Sequence, residues 1–182
     1  MAEIRDAVMV DYARTPFGIA SQKRPGFFAD KRADDLAVIV IEALLKRTGI
    51  DPASVDEVIM GTVNQSGEQS NPGRGVCLMT CPFEVAGLSV ERACCSSMTA
   101  AHIGCMAIQL GMEDICIAGG MESHSHFPTP MITEDTDIWA LAEELGNTRG
   151  MPNAKVFEKV DINAVASMGL IAEKLAEMDG IT

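Results

Sequence analysis

Aromatic side chains are nearly missing from this chain, with one Trp, one Tyr and six Phe in 182 residues. Twelve Met are present, so a core built here is aliphatic and thioether in character and adapts readily in shape. Positive charge is also short. Lys and Arg number 14 against 26 Asp and Glu, a formal net charge of -12, which excludes a nucleic-acid role because phosphate binding needs a basic surface. No apolar run reaches the length of a membrane span, and the N-terminus has no charged-then-apolar signal pattern. A soluble, cytoplasmic protein is expected. In that setting the six cysteines are expected as reduced thiols rather than disulfides. Cys77 and Cys81, with His102, raise a zinc reading, but a second closely spaced ligand pair is lacking and no metal is expected. Cys105 and Cys116 lie in apolar helix and strand patterns and read as core.

Hydrophobic residues make up 47% of the chain, enough for one domain with a substantial core and a smaller appendage. Val8-Met9-Val10 reads as a short buried strand. Residues 34–48 have helical spacing and stop at Gly49; a turn over 52–55 leads to a strand at 57–60. Gly67, Asn71, Pro72 and Gly73 mark a loop. A short helix over 76–80, a strand near 88–92, a helix to Leu110 and a strand at 115–117 follow. This alternation predicts an α/β layer with a mainly parallel sheet. After Ser123 the texture changes to His, Pro, Thr and acidic residues, with a weak helix at 139–145 and another at 165–178. Basic residues gather at Lys23-Arg24 and Lys31-Arg32, which read as a solvated loop that could also meet an anionic cofactor.

The chemistry-bearing run is Val90-Glu91-Arg92-Ala93-Cys94-Cys95-Ser96-Ser97-Met98-Thr99, where a strand turns into an apolar, small-residue helix. A sulfur at a helix start meets unpaired N–H groups and the positive end of the helix dipole, which favour a thiolate. Such a thiolate attacks acyl carbons, and N–H groups of the same turn can stabilise the resulting oxyanion. A lone cysteine would read as a small buried hydrophobe. Here two adjacent cysteines, two serines suited to a first turn and a following helix expected to be buried point to a nucleophile. The local pattern leaves Cys94 and Cys95 both open.

The run resembles the nucleophile motif of the thiolase family, Val-Asn-Arg-x-Cys-x-Ser-Gly. Val90, Arg92, Cys94 and Ser96 match it, which makes Cys94 the nucleophile. Glu91 stands in place of Asn, Ser97 in place of Gly, and Thr99 where a basic or polar residue is common. Four further segments are similar to that family in the same order. They are Asp11-Tyr12-Ala13-Arg14-Thr15-Pro16-Phe17-Gly18, the loop from Gly61 to Asn71-Pro72-Gly73-Arg74 with Ser70 in place of Gln, Gly119-Gly120-Met121-Glu122, and Ser167-Met168-Gly169-Leu170-Ile171-Ala172-Glu173.

The resemblance implies the N-terminal half of a layered α/β/α fold with a mainly parallel mixed sheet. It places the nucleophile domain over 1–121 and part of a substrate-covering loop domain over 122–182. It also implies acyl transfer between CoA thioesters through a Cys94 thioester, with coenzyme A as substrate or product and no bound cofactor. Ser167 and Met168 resemble the form seen in degradative thiolases and are expected near the acyl chain. The family's later elements, including its catalytic His and second Cys, have no counterpart here. His102, His124 and His126 do not replace them: His102 lies two turns beyond Cys94, and the other two follow a strand end where the family has no base. The expected arrangement is a split enzyme whose partner chain carries the missing half, with self-association through the thiolase dimer interface. A fragment of a full-length thiolase, or a non-catalytic acyl-CoA-binding or scaffold protein, are the alternatives.

Overall fold

The computed structural model describes residues 4–20, 24–65, 67–126 and 168–181. The chain divides into two compact units, Met1–Pro128 and Thr129–Thr182. In the first unit the order is α1 (Ala33–Thr48), β1 (Glu57–Gly61), α2 (Pro72–Thr80), β2 (Ala86–Val90), α3 (Ser96–Gln109) and β3 (Cys116–Gly120). All strand pairing among the described residues is parallel, and β1 is central in the order β2-β1-β3. Residues 139–145 and the acidic positions near 134–144 lie outside the described residues. The second unit shows α4 (Met168–Asp179), which the 165–178 pattern anticipated.

β1 is buried on both faces, as a central parallel strand requires. Val58 and Met60 pack with Ala37, Ile41 and Leu45 of α1 and Val76 and Cys77 of α2. Ile59 packs instead with Val90 and with Ala100 of α3. The layers are therefore α1 and α2, the sheet, and α3. Local chemistry sets the ends of these elements. Gly49 adopts φ 72°, a left-handed conformation suited to glycine, and its N–H closes α1 on the Leu45 carbonyl. The Asp51 carboxylate accepts the Ala53 N–H in the 3-10 turn over Pro52–Ser54. Pro72 opens α2, where a missing N–H costs nothing. Gly73 is dictated by packing, because a Cβ there would stand 2.0 Å from the Leu88 carbonyl oxygen.

Three expectations need correction. Val8-Met9-Val10 forms no strand, and these residues are 75%, 82% and 73% exposed; among the described residues no strand lies beside them to supply a ladder. β2 begins two residues earlier than the apolar pattern suggested, at Ala86 rather than Leu88. The third concerns α3, which is buried only along Ser96, Thr99, Ala100 and Gly104, whereas Met98, Cys105, Met106 and Leu110 face outward. Its outer apolar face has no covering layer among the described residues. Cys77, by contrast, is core, with its thiol donating to the carbonyls of Val85 and Ala86, and burial raises its pKa.

Candidate active site

The turn from β2 into α3 is closed by side chains of the motif itself. Ser96, the first residue of α3, is buried; its hydroxyl donates to the Ala93 carbonyl at 2.7 Å and accepts the Arg92 N–H at 2.8 Å. The Glu91 carboxylate accepts the Ala93 N–H at 2.6 Å. Between these bonds Ala93 is forced to φ 45°, the only positive φ at a non-glycine among the described residues. That backbone costs about 1–2 kcal/mol for an L-residue, and such strain persists only where the surroundings over-determine it. Its consequence is placement: Cys94 is lifted out of the strand line and left exposed, one residue before the helix cap Cys95.

The N–H groups of Cys94, Ser97 and Met98 have no partner among the described residues, while Ser96 N–H bonds Ala93 and Thr99 N–H bonds Cys95. Helix starts leave such donors free for an anion or a developing oxyanion. The cysteine and these donors share one turn. Cys95 is also exposed but occupies the cap itself, with its N–H committed to the Arg92 carbonyl.

Two glycines let the sheet reach this turn. A Cβ at Gly61 would meet the Ser96 carbonyl carbon at 2.5 Å and the Ser97 nitrogen at 2.6 Å, and one at Gly120 would meet the Ser97 Cβ at 2.8 Å. The carboxyl ends of β1 and β3 therefore abut the start of α3, the usual location of sites in such sheets. Just beyond them, Glu122 gathers the loop after β1. Its carboxylate accepts from the Thr62 hydroxyl at 3.0 Å, the Val63 N–H at 2.6 Å and the Gln69 side-chain amide at 3.0 Å. Gln69, fully buried, accepts the Ser123 N–H at 2.7 Å. Sequence reasoning missed the Ala93 turn and the roles of Glu91 and Gln69. The signal it held was the Gly61 and Gly120 pair at two strand ends.

No hydrogen bond ties His102 or His126 to this turn. His102 is exposed on α3. His126 is engaged elsewhere: its Nδ1 lies 3.0 Å from Glu68 Oε2 and its Nε2 lies 3.0 Å from the Ala29 carbonyl. Both contacts, Glu68 first, raise its pKa. Glu68 also accepts the Ala33 N–H at the start of α1. Lys31 and Arg32 are paired with Asp30 and Asp34, while Lys23 lies outside the described residues. Arg74 donates to the Val85 and Phe83 carbonyls and so holds the turn before β2. Ser167 lies outside the described residues, and Met168, at the start of α4 in the second unit, is exposed. Among the described residues no group of His, Cys, Asp and Glu could hold a metal ion, and no helix is long and apolar enough to cross a membrane.

Comparison with known proteins agrees with this fold. Residues 7–182 match the family model described as thiolase, N-terminal domain. The 3-ketoacyl-CoA thiolase of Marinobacter nauticus is 39% identical over 181 residues, covering 98% of this chain and 41% of that protein. The 3-ketoacyl-CoA thiolase of Chromohalobacter salexigens is 38% identical over 180 residues, again 41% of its length. Among solved structures, the acetyl-CoA acetyltransferase of Bacillus anthracis superposes with a TM-score of 0.73 at 28% identity, covering 100% of this chain and 44% of that one. The acetyl-CoA acetyltransferase of Syntrophomonas wolfei gives 0.72 at 30% identity, with 99% and 43% covered. The chain thus spans about two fifths of the length of these relatives.

Proposed function

The chain belongs to the thiolase family, and on that premise we propose that it is the nucleophile-bearing subunit of a split thiolase. It transfers acyl groups between CoA thioesters through a thioester on Cys94. The observation that carries this reading is the strained turn at Ala93, which exposes Cys94 beside unpartnered N–H groups at the start of α3.

In the cleavage direction the Cys94 thiolate attacks the C3 carbonyl carbon of a 3-ketoacyl-CoA and forms a C–S bond. The oxygen becomes an oxyanion, for which the Cys94 N–H is one donor and the partner supplies the rest. Its collapse breaks the C2–C3 bond, and the electron pair leaves on acetyl-CoA, which takes up a proton. A CoA thiolate then attacks the acyl-cysteine, releasing the shortened acyl-CoA and regenerating the Cys94 thiolate. Condensation is the reverse sequence. Coenzyme A is substrate and product, and no further cofactor is required.

No described histidine serves as base for Cys94, so the base and the second cysteine come from a partner carrying the other thiolase half. The 122–182 region acts as part of the substrate-covering domain, with Ser167 and Met168 beside the acyl chain. Self-association through the Asn71-Pro72-Gly73-Arg74 side gives a hetero-oligomer of two chain types.

The test is turnover of a 3-ketoacyl-CoA by this chain with its complement. Cys94→Ala is expected to abolish cleavage and Cys95→Ala to retain it. Activity surviving Cys94→Ala would overturn the assignment.

A further inference from the structure

The Cys95 thiol has no evident structural task. It stands at the cap of α3, yet its side chain makes no cap hydrogen bond, although Ser, Thr, Asp and Asn are the residues that fill such a position well. It has no hydrogen-bond partner among the described residues. Being exposed, it packs no core either. Acyl transfer as derived above runs through Cys94 and leaves this second sulfur idle. Its neighbour in sequence is the other exposed, free thiol of the turn.

No other thiol of the chain competes for Cys94. Cys77 is buried, donates to the Val85 and Ala86 carbonyls, and has its pKa raised by burial. Cys116 donates to the Glu113 carboxylate at 2.6 Å, and burial, then Glu113, raises its pKa. A raised pKa withholds the thiolate that attacks sulfur. Cys105 is exposed but lies far along α3, about 15 Å from the cap at about 1.5 Å per residue. Cys81 precedes β2 and Cys94 follows it, so the length of that strand, about 3.3 Å per residue, separates them. Cys95 alone is within reach. The Cys94-Cys95 peptide is trans, which sets the two Cα atoms about 3.8 Å apart, short of the roughly 4.4–6.8 Å that a disulfide favours. A bridge between them is therefore strained, and strained, exposed disulfides are the labile, easily reduced ones. The turn can take it up. Glu91 and Ser96 tie Arg92 and Ala93 through side chains, the pair lies ahead of the α3 ladder, and the bond that ring closure loosens is that from Cys95 N–H to the Arg92 carbonyl at 3.0 Å.

We propose that Cys94 and Cys95 form a site of reversible oxidation by peroxides, in which Cys95 is the resolving thiol. The Cys94 thiolate attacks a peroxide oxygen: the S–O bond forms, the O–O bond breaks, and the leaving hydroxide takes a proton to become water. Cys94 is then a sulfenic acid, its sulfur oxidised by two electrons and the peroxide reduced by two. The Cys95 thiolate attacks that sulfur, the S–S bond forms, and the S–O bond breaks with loss of hydroxide, which is protonated to a second water. Two thiols and one hydrogen peroxide thus give one disulfide and two waters. A small dithiol reverses the change through a mixed disulfide. Without Cys95 the sulfenic acid stays open to a second peroxide and goes on to the sulfinic acid, which thiols do not restore. Cys95 therefore preserves the Cys94 sulfur and, while the bridge stands, holds acyl transfer off. The bridge rests on the exposed pair; the arrest of acyl transfer rests on the split-thiolase reading.

To test this, the natively purified protein is treated with hydrogen peroxide, alkylated with iodoacetamide under denaturing conditions and digested with trypsin for tandem mass spectrometry. The parent chain is expected to yield a peptide two hydrogens lighter, with Cys94 and Cys95 unalkylated and Cys105 and Cys116 alkylated, and dithiothreitol before alkylation to restore all four thiols. In Cys95→Ala the same peroxide dose is expected to carry Cys94 to the sulfinic acid, so that the Cys94 thiol recovered by dithiothreitol falls about 10-fold. Sulfinic acid on Cys94 of the parent chain to the extent seen in the variant, a bridge from Cys94 to any thiol other than Cys95, or both thiols left free by the peroxide would overturn the inference. Cys95→Ala keeps the backbone N–H of the cap; should it fail to fold, the peptide from the parent chain decides. Acyl transfer separates the two readings. A Cys94–Cys95 bridge in a protein whose 3-ketoacyl-CoA cleavage survives Cys94→Ala would remove the thiolase reading and leave the redox site. Acylation of Cys94 by a 3-ketoacyl-CoA in a protein that forms no bridge would remove the redox site alone.

Discussion

Ala93 and its two clamps, Glu91 and Ser96, set where the Cys94 sulfur stands. A β-branched side chain is a poor occupant of a left-handed backbone, so Ala93→Val is expected to destabilise the chain by about 1–3 kcal/mol and to lower the rate of Cys94 alkylation or acylation. Urea unfolding together with iodoacetamide kinetics checks this, and unchanged values for both would mean the turn is not held as described. His126 makes a second prediction at this scale. Glu68 and the Ala29 carbonyl raise its pKa in the folded chain, and only a protonated ring donates to both. Its stabilisation is therefore complete below the unfolded value near 6.5 and is lost as pH rises through the raised folded value. Melting temperatures of the parent chain and of His126→Gln are expected to differ most at mildly acid pH and to converge as pH increases. A constant difference across that range would contradict the ion pair.

At the scale of elements, the sheet depends on glycines where layers approach most closely. Gly73→Ala would set a Cβ 2.0 Å from a Leu88 backbone oxygen, and Gly61→Ala would press on the start of α3. Each is expected to cost about 1–3 kcal/mol or more, measured by chemical denaturation, and Gly61→Ala additionally to slow acylation because it displaces the turn. Gly75→Ala, which meets nothing within 4 Å, is the control. The helix α1, its Gly49 stop, the β1 strand and the parallel layering were legible because period, caps and glycine stops are local signals. The strand-to-helix turn that carries Cys94 was legible from the same alternation. What sequence misread were the features fixed by neighbours. Val8-Met9-Val10 has strand chemistry but no ladder among the described residues, and α3 has the composition of a buried helix with a bare outer face. Both readings presume a partner surface. The Ala93 turn was invisible for a different reason, since an alanine carries no sign of a positive φ.

At the scale of the whole molecule, those misreadings share one cause. The β3 edge, unpaired among the described residues, the exposed N-terminal segment and the face of α3 that no described layer covers all belong to the first unit. A chain covering about two fifths of its relatives is expected to leave such surfaces where the rest of the fold would pack. The central claim is that Cys94 is the acyl carrier of a thiolase completed by another polypeptide. Its most direct test is to incubate the natively purified complex with radiolabelled acyl-CoA, quench, digest and locate the label by mass spectrometry. The account predicts one acyl group on the peptide containing Cys94, discharged by added CoA and absent from Cys94→Ala. Label on Cys95 or elsewhere, with Cys94 unmodified, would contradict it.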